Sequence, residues 1–161
     1  MHNDSDRQIN CAFGGSLVNM NGAEIVEREF IGNCAPHSLQ KVATLDAFTP
    51  SDQQSQFIVI GYPFSWTFWF FDIDKNLHYP EPKWTATVNG NTLKIEAHTF
   101  LRDFYVNADR FGGTLKENLV TFLPGDVWEV EIEGVSPEAL AKVDFSQRPI
   151  VNCANYFGTK R

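Results

Sequence analysis

The sequence predicts an all-β fold built from β-sandwich modules, and three observations support this prediction. Apolar and polar residues alternate with a period of two in several segments of the chain. Short segments of this kind recur at intervals of roughly 8 to 12 residues with turn-forming residues between them, as in sandwich domains. Only one short segment has the features of a helix, so the strand and helix alternation that an α/β fold requires is missing.

The clearest predicted strand is residues 127–133. Trp128, Val130 and Ile132 point to one side of this strand, and the residues that follow each of them are glutamates. Such alternation is typical of an antiparallel strand with one face in the core and the other in water. We therefore expect this segment to line the core of a sandwich.

Residues 84–88 and 92–97 predict a β-hairpin. They flank Asn89-Gly90-Asn91, and an Asn-Gly pair readily adopts the positive φ angles of a tight hairpin turn. The three-residue spacer leaves room for a bulge beside the turn.

Four more strands are predicted in the first half of the chain, where β-branched and aromatic residues lie between turn signals. The turn signals are Asn21-Gly22, Gly32-Asn33 and Pro50-Ser51-Asp52, and Phe13-Gly14-Gly15-Ser16 is interpreted as a turn or bulge. The predicted strands are residues 9–18, 23–30, 38–45 and 57–62.

The one predicted helix follows Ser136. The serine hydroxyl suits the N-cap position, and Pro137 suits the first helical position because its missing N–H would have no partner there. Residues 138–142 then favour one short helical turn.

A domain junction is predicted at about residue 76. Tyr79-Pro80-Glu81-Pro82 is a stiff, extended segment that cannot continue a central strand. This predicts two sandwich domains, residues 1–75 and residues 76–161. The first contains few strands for a sandwich that must pair its edges, so we expect it to be truncated and to lack its opening strand or strands.

The charge balance argues against several classes of partner. Thirteen basic and 20 acidic side chains give a formal net charge of −7, which repels nucleic acid phosphates and anionic lipids. The first ten residues are polar and lack the features of a signal peptide, and no apolar stretch is long enough to span a bilayer. Taken at face value, this predicts a cytoplasmic location with neither nucleic acid nor membrane as a partner.

The residues that could carry chemistry form no recognisable motif, so we predict no catalytic residue, no metal site and no cofactor. The four histidines are isolated from one another, and the spacing of the three cysteines fits neither a zinc site nor a disulfide framework. Reduced, buried thiols are expected, although a Cys11–Cys34 bridge stays open for a secreted protein. The acidic residues weighed as a catalytic pair, each in a loop or at a strand end, are Asp103, Asp109, Glu117 and Asp126.

The most conspicuous feature is the aromatic run at residues 65–71. Alternation places Trp66, Phe68 and Phe70 on one face of a strand and Trp69 and Phe71 on the other, so neither face suits water. Three interpretations stay open. The strand could be buried against a neighbouring domain, it could form an interface between copies of the chain, or it could present a platform on which sugar rings stack. Trp84 is a further candidate for such stacking.

From about Gly22 onwards the sequence resembles the last two, immunoglobulin-like domains of β-mannosidases of glycoside hydrolase family 2. The motif with the sharpest match is Thr121-Phe122-Leu123-Pro124-Gly125-Asp126 before the alternating strand, with Asp126 where the family usually has Glu. Residues 93–106 resemble a kinked strand pair of the family, and residues 68–80 resemble the connector between its last two domains.

The resemblance implies a non-catalytic accessory region that packs on and stabilises the catalytic barrel of a parent enzyme hydrolysing terminal β-mannosides. The catalytic glutamates of the family correspond to no position in this sequence, so we do not expect the chain alone to hydrolyse a glycoside. The implied partner is the barrel or a second copy of the chain. The alternative is an independent carbohydrate-binding module that recognises a mannose-containing carbohydrate.

Overall fold

The structure is a computed structural model that describes residues 1–62 and 65–157. The chain divides into two compact units, residues 1–73 and residues 74–161. The last four residues of the predicted second domain lie outside the described residues. Nearly all regular structure in the described ranges is antiparallel β-sheet, which confirms the all-β, immunoglobulin-like sandwich class.

The first unit contains one four-stranded antiparallel sheet in the order β3-β2-β5-β6 and a separate two-stranded ladder of β1 with β4. A 3₁₀ turn at Leu45–Ala47 lies between β4 and β5. The strands are β1 His2–Asn3, β2 Ile9–Asn19, β3 Glu24–Cys34, β4 Ser38–Leu39, β5 Gln56–Tyr62 and β6 Ser65–Phe70.

Three predictions for the first unit are wrong in detail. Gly14 and Gly15 do not form a turn or bulge but lie inside β2, and the register shift comes later, between Leu17 and Val18. Gly32-Asn33 is not a turn either, because β3 continues through it to Cys34. The strand predicted at residues 38–45 ends at Leu39. In each case pairing with a neighbouring strand decides the local structure, as is usual in sheets.

The first unit buries apolar side chains on both faces of its sheet, and one core cluster lies on the face of Leu17 and Ile58. Leu17 of β2 and Ile58 of β5 are buried there beneath Phe48, which follows the 3₁₀ turn. A Cβ atom at Gly15 would lie 3.0 Å from Cζ of Phe48, so glycine lets this ring approach β2 closely. Within residues 1–62 and 65–73, this loop and not a second large sheet covers that face.

The second unit is a sandwich of two antiparallel sheets, a four-stranded sheet in the order β10-β12-β8-β7 and a three-stranded sheet in the order β11-β9-β13. The helix α1 at Pro137–Leu140 has Ser136 as its N-cap, as predicted. Further 3₁₀ turns are Asp74–Asn76, Ala108–Phe111 and Ala154–Phe157. The strands are β7 Trp84–Asn89, β8 Thr92–Ala97, β9 Leu101–Val106, β10 Thr114–Leu115, β11 Val120–Phe122, β12 Val127–Glu133 and β13 Val151–Asn152.

The predicted hairpin is confirmed as β7 and β8, and its connection is shorter than expected. Asn89 pairs with Thr92, so the loop consists of only two residues, and Gly90 takes the positive φ angle of 59°. The predicted spacer of three residues was therefore one residue too long.

The core of the second unit lies between its two sheets. The alternating residues Trp128, Val130 and Ile132 of β12 are buried there, as the sequence predicts. Phe104 of β9 and Phe122 of β11 face them from the other sheet and contact each other edge to face, with ring centroids 5.5 Å apart. Burial of these side chains is the main favourable contribution to the stability of this unit.

The Leu123-Pro124-Gly125-Asp126 segment connects the two sheets of the second unit. Gly125 has a φ angle of 92°, and the Asp126 carboxylate accepts a 2.8 Å hydrogen bond from the backbone N–H of Leu123. The strands on either side, β11 and β12, pair with β9 and β8 rather than with each other. The motif is therefore a crossing between sheets and not a hairpin turn.

Asn155 is a buried polar side chain that holds together three segments of the second unit. Its amide donates 2.8 Å and 3.2 Å hydrogen bonds to the carbonyls of Phe100 and Pro80, and its side-chain oxygen accepts a 2.8 Å bond from the N–H of Arg102. A buried polar group is tolerated when it is hydrogen-bonded in this way.

We predict that Asn155→Ala destabilises the chain by about 2–4 kcal/mol, because it leaves several backbone groups without a partner in a buried setting. The free energy of unfolding in urea measures the effect. Asn89→Ala, at an exposed strand position, is the matched control and should change stability by less than about 0.5 kcal/mol. Equal stability of the two variants would contradict the structural role of Asn155.

Candidate functional site

The aromatic run forms β6, the edge strand of the sheet in the first unit. Its register with β5 pairs Phe57 with Phe70, Val59 with Phe68 and Gly61 with Trp66. Residues directly opposite each other in an antiparallel pair share a face of the sheet. This register therefore confirms that Trp66 and the two phenylalanines lie on one face, and it places Trp69 on the other.

An aromatic cluster on the Trp66 face holds β6 against β5. Phe57 is fully buried, and its ring centroid lies 5.4 Å from that of Phe70 and 6.2 Å from that of Phe68. These distances are typical of attractive ring pairs. Phe68 and Phe70, both singled out by the sequence, are half-buried and contribute to packing within the unit.

Trp66 continues this row of rings but does not pack into a core. Its six-membered ring lies over Gly61, where an added Cβ would come within 2.2 Å of Cζ3. The side chain is nevertheless 68% exposed. Because the ring rests on a residue without a side chain, it lies close to the strand and keeps a large apolar surface open to water.

On the opposite face, Trp69 lies at the margin of the core of the first unit. It pairs with Ile58, which is fully buried, yet Trp69 itself is 50% exposed. Phe71, two residues further along, packs against the core cluster that contains Leu17 and Phe48. Both faces of β6 thus carry an exposed tryptophan.

Trp84 has a different environment from the tryptophans of β6. It is half-buried in the second unit, its indole N–H donates a 2.8 Å hydrogen bond to the carbonyl of Phe145, and its ring contacts Phe104 edge to face. The polar and the apolar parts of the indole are thus both engaged within the unit. We assign Trp84 a packing role, and the sequence alone could not separate it from Trp66.

The two edges of the sheet in the first unit differ in charge. The edge strand β3 carries Glu24, Glu27, Arg28 and Glu29, all exposed. The other edge strand, β6, contains only Ser, Thr, Trp and Phe. Charged residues protect an edge strand from pairing with other chains, and β6 has no such protection.

The acidic residues that the sequence brings forward as a possible pair have local roles where the structure describes their contacts. Asp126 accepts the turn hydrogen bond from Leu123, and Asp103 accepts a 3.3 Å bond from the hydroxyl of Thr121 and lies 3.2 Å from Nε of Arg102. In residues 1–62 and 65–157, no three His, Cys, Asp or Glu side chains come together in a way that could hold a metal ion.

None of the three cysteines forms a disulfide, and Cys34 and Cys153 are buried as expected. The expectation is wrong for Cys11, which is partly exposed, with its sulfur 3.2 Å from that of Met1. Burial raises the pKa of the Cys153 thiol to about 11, so this thiol is protonated and unreactive near neutral pH. None of the helices in the described part of the chain has the length and apolar character needed to cross a bilayer.

The chain is thus an all-β protein with a seven-stranded sandwich in its second unit and a single, aromatic-edged sheet in its first. No protein-family model matches the sequence, and no curated protein matches it. The structure is similar to that of a β-D-mannosidase from Dictyoglomus thermophilum, with a TM-score of 0.62 and 12% sequence identity over 99% of this chain. The chain covers 20% of that enzyme. At this identity the likeness shows a shared fold.

The position of Trp66 over Gly61 is the part of the site that sequence reasoning missed. Alternation within one strand predicts which residues share a face, but it does not reveal which residue lies opposite on the neighbouring strand. The only signal in the sequence was a lone glycine at the end of an apolar strand, which indicates a close approach.

We predict that Gly61→Ala moves the indole of Trp66 off the strand, because the new methyl group would overlap the ring. Acrylamide quenching of tryptophan fluorescence should increase, and the increase should vanish when Trp66→Phe is added. Gly14→Ala is the matched control, since an added Cβ there meets nothing within 4 Å. Unchanged quenching in Gly61→Ala would contradict the stacked position of the ring.

Proposed function

We propose that this chain is a non-catalytic accessory region of a larger protein related to the β-mannosidases, and that it packs on and stabilises the catalytic part through β6. The observation that carries this proposal is the unprotected aromatic edge of the first unit. Sheet edges without charges invite pairing or burial, and Trp69 adds an exposed apolar ring beside that edge.

Two further observations support the accessory role. The chain has the fold of one fifth of a β-mannosidase, so the greater part of such an enzyme has no counterpart in it. In addition, the contacts described for Asp103 and Asp126 serve turns and strand pairing. Both observations favour a role in supporting chemistry that takes place elsewhere in a parent protein.

The partner that fits this proposal is the catalytic barrel of the parent glycosidase. A barrel of this type is surrounded by helices, and their apolar side chains could cover Trp69 and the open edge of β6. A second copy of this chain is the other possible occupant, since an edge strand can also pair with its own copy.

We predict that the isolated chain associates with itself and binds an apolar dye, because β6 exposes Trp66 and Trp69 to water. Trp69→Lys should reduce both effects by placing a charge beside the open edge. Light scattering after size exclusion, over a range of concentrations, measures the association, and dye fluorescence measures the exposed apolar surface. Leu119→Lys, at a leucine that is 64% exposed in the second unit, is the matched control and should leave both unchanged.

A monomeric chain with no dye binding at high concentration would contradict the accessory role. Association that responds equally to Trp69→Lys and Leu119→Lys would locate the contact away from β6.

The second candidate function is that of an independent carbohydrate-binding module. The exposed ring of Trp66 favours it, because binding sites for small polar molecules combine aromatic surfaces with a few polar groups. We predict that the chain is retarded in a native gel that contains soluble mannan, and that Trp84→Phe is retarded equally because Trp84 belongs to the core. Identical migration with and without mannan would exclude this function.

A further inference from the structure

One row of residues runs across the first sheet from Trp66 to the charged edge. The strand pairings place Trp66, Gly61, Gly14 and Glu29 side by side in this order. Directly opposite residues lie on the same face of a sheet. The row therefore begins with an exposed aromatic ring, continues over two glycines and ends with a carboxylate.

The two glycines of this row differ in what lies above them. Gly61 is covered by the ring of Trp66, whereas Gly14 is exposed and an added Cβ would meet nothing within 4 Å. Neighbouring strands lie about 4.8 Å apart, so Gly14 is about 10 Å from Trp66 across the sheet. The bare backbone at Gly14 thus continues the open surface beyond the indole ring. The surface formed by Trp66, Gly61 and Gly14 is called the platform below.

Polar groups border this platform on its far side. A shallow groove of about 500 Å³ lies beside Gly14 and is lined in part by Glu27, Arg28 and Glu29. Glu27 pairs with Ser16, the next residue of β2 on the same face as Gly14, whereas Arg28 pairs with Gly15 and belongs to the other face. Carboxylates accept hydrogen bonds, and the two carboxylates outnumber the one guanidinium group, so the groove disfavours anionic ligands.

We infer that the platform formed by Trp66, Gly61 and Gly14 binds a neutral oligosaccharide that lies across the strands. One sugar ring stacks on the free face of Trp66, and the next rings lie over Gly14, where hydroxyl groups donate hydrogen bonds to Glu29 and Glu27. A sugar ring has an apolar face and hydroxyl groups around its edge. The apolar face can stack on the indole ring, and the hydroxyl groups can donate hydrogen bonds to the carboxylates beside it. The inference deepens the second candidate function and rests on it.

Titration of the full chain with β-1,4-mannohexaose and, separately, with cellohexaose tests the inference, and calorimetry and tryptophan fluorescence detect binding. Trp66→Ala should weaken binding by about tenfold or more, as expected for a central aromatic contact. Trp69→Ala removes an exposed tryptophan of the same strand from the opposite face, and it should leave affinity within about twofold. An oligogalacturonate of equal length should bind more weakly than either neutral probe, because Glu27 and Glu29 repel it.

Gly14→Val tests the platform without removing any contact. The added methyl groups point into open space, and valine is favoured in strands, so the unfolding midpoint should not fall while binding weakens by about tenfold. Gly14→Ala should have a smaller effect in the same direction.

Absence of binding to both neutral probes would overturn the inference. Binding that survives both Trp66→Ala and Gly14→Val would also overturn it, while leaving a carbohydrate-binding function with a site elsewhere. Neither result bears on the accessory role, which depends on β6 and Trp69.

Discussion

Every strand must satisfy the backbone donors and acceptors along both of its edges, and this constraint shapes both units of the chain. In the second unit the strands that carry most of the core, β8, β9 and β12, each lie between two partners. Three of its four outer strands are only two or three residues long. Short outer strands leave few unpaired groups. The fourth outer strand, β7, has six residues and no charge, like β6, but its exposed side chains are Thr85, Thr87 and Asn89, so this long edge is polar and not aromatic.

In the first unit only one of the two sheet edges, the one formed by β3, is protected against pairing with another chain. Its outer strand β3 has 11 residues, but its glutamates and Arg28 make addition of another strand unfavourable. The opposite outer strand, β6, has no further strand beside it within residues 1–62 and 65–157, and it carries two exposed tryptophans. An aromatic edge of this kind is stable in water only at a considerable solvation cost. The proposed packing of β6 on a larger protein removes that cost.

The sequence predicts those features that depend on residues close together in the chain, and it does not predict those that depend on strands far apart in the chain. The alternation in β12 and the turn at Gly90 are local, and both were predicted because they rest on side-chain direction and on backbone dihedral angles. Gly14 and Gly15 predict a turn or bulge by composition, but they lie inside β2, because pairing with β3 on one side and β5 on the other holds this segment extended. The ring of Trp66 over Gly61 has the same origin, since the register of two strands does not appear in either strand alone.

The period of two along β6 also explains how one short strand could take part in two kinds of contact. Trp66 and Trp69 are three residues apart, so they point to opposite faces and can meet different molecules. A protein that covers the open edge and Trp69 would leave the row from Trp66 to Glu29 accessible, because that row lies on the other face. Gly61 matters only for the Trp66 face. With a larger residue at position 61 the indole would be lifted off the strand, and the flat platform would be lost while Trp69 on the other face would be unaffected.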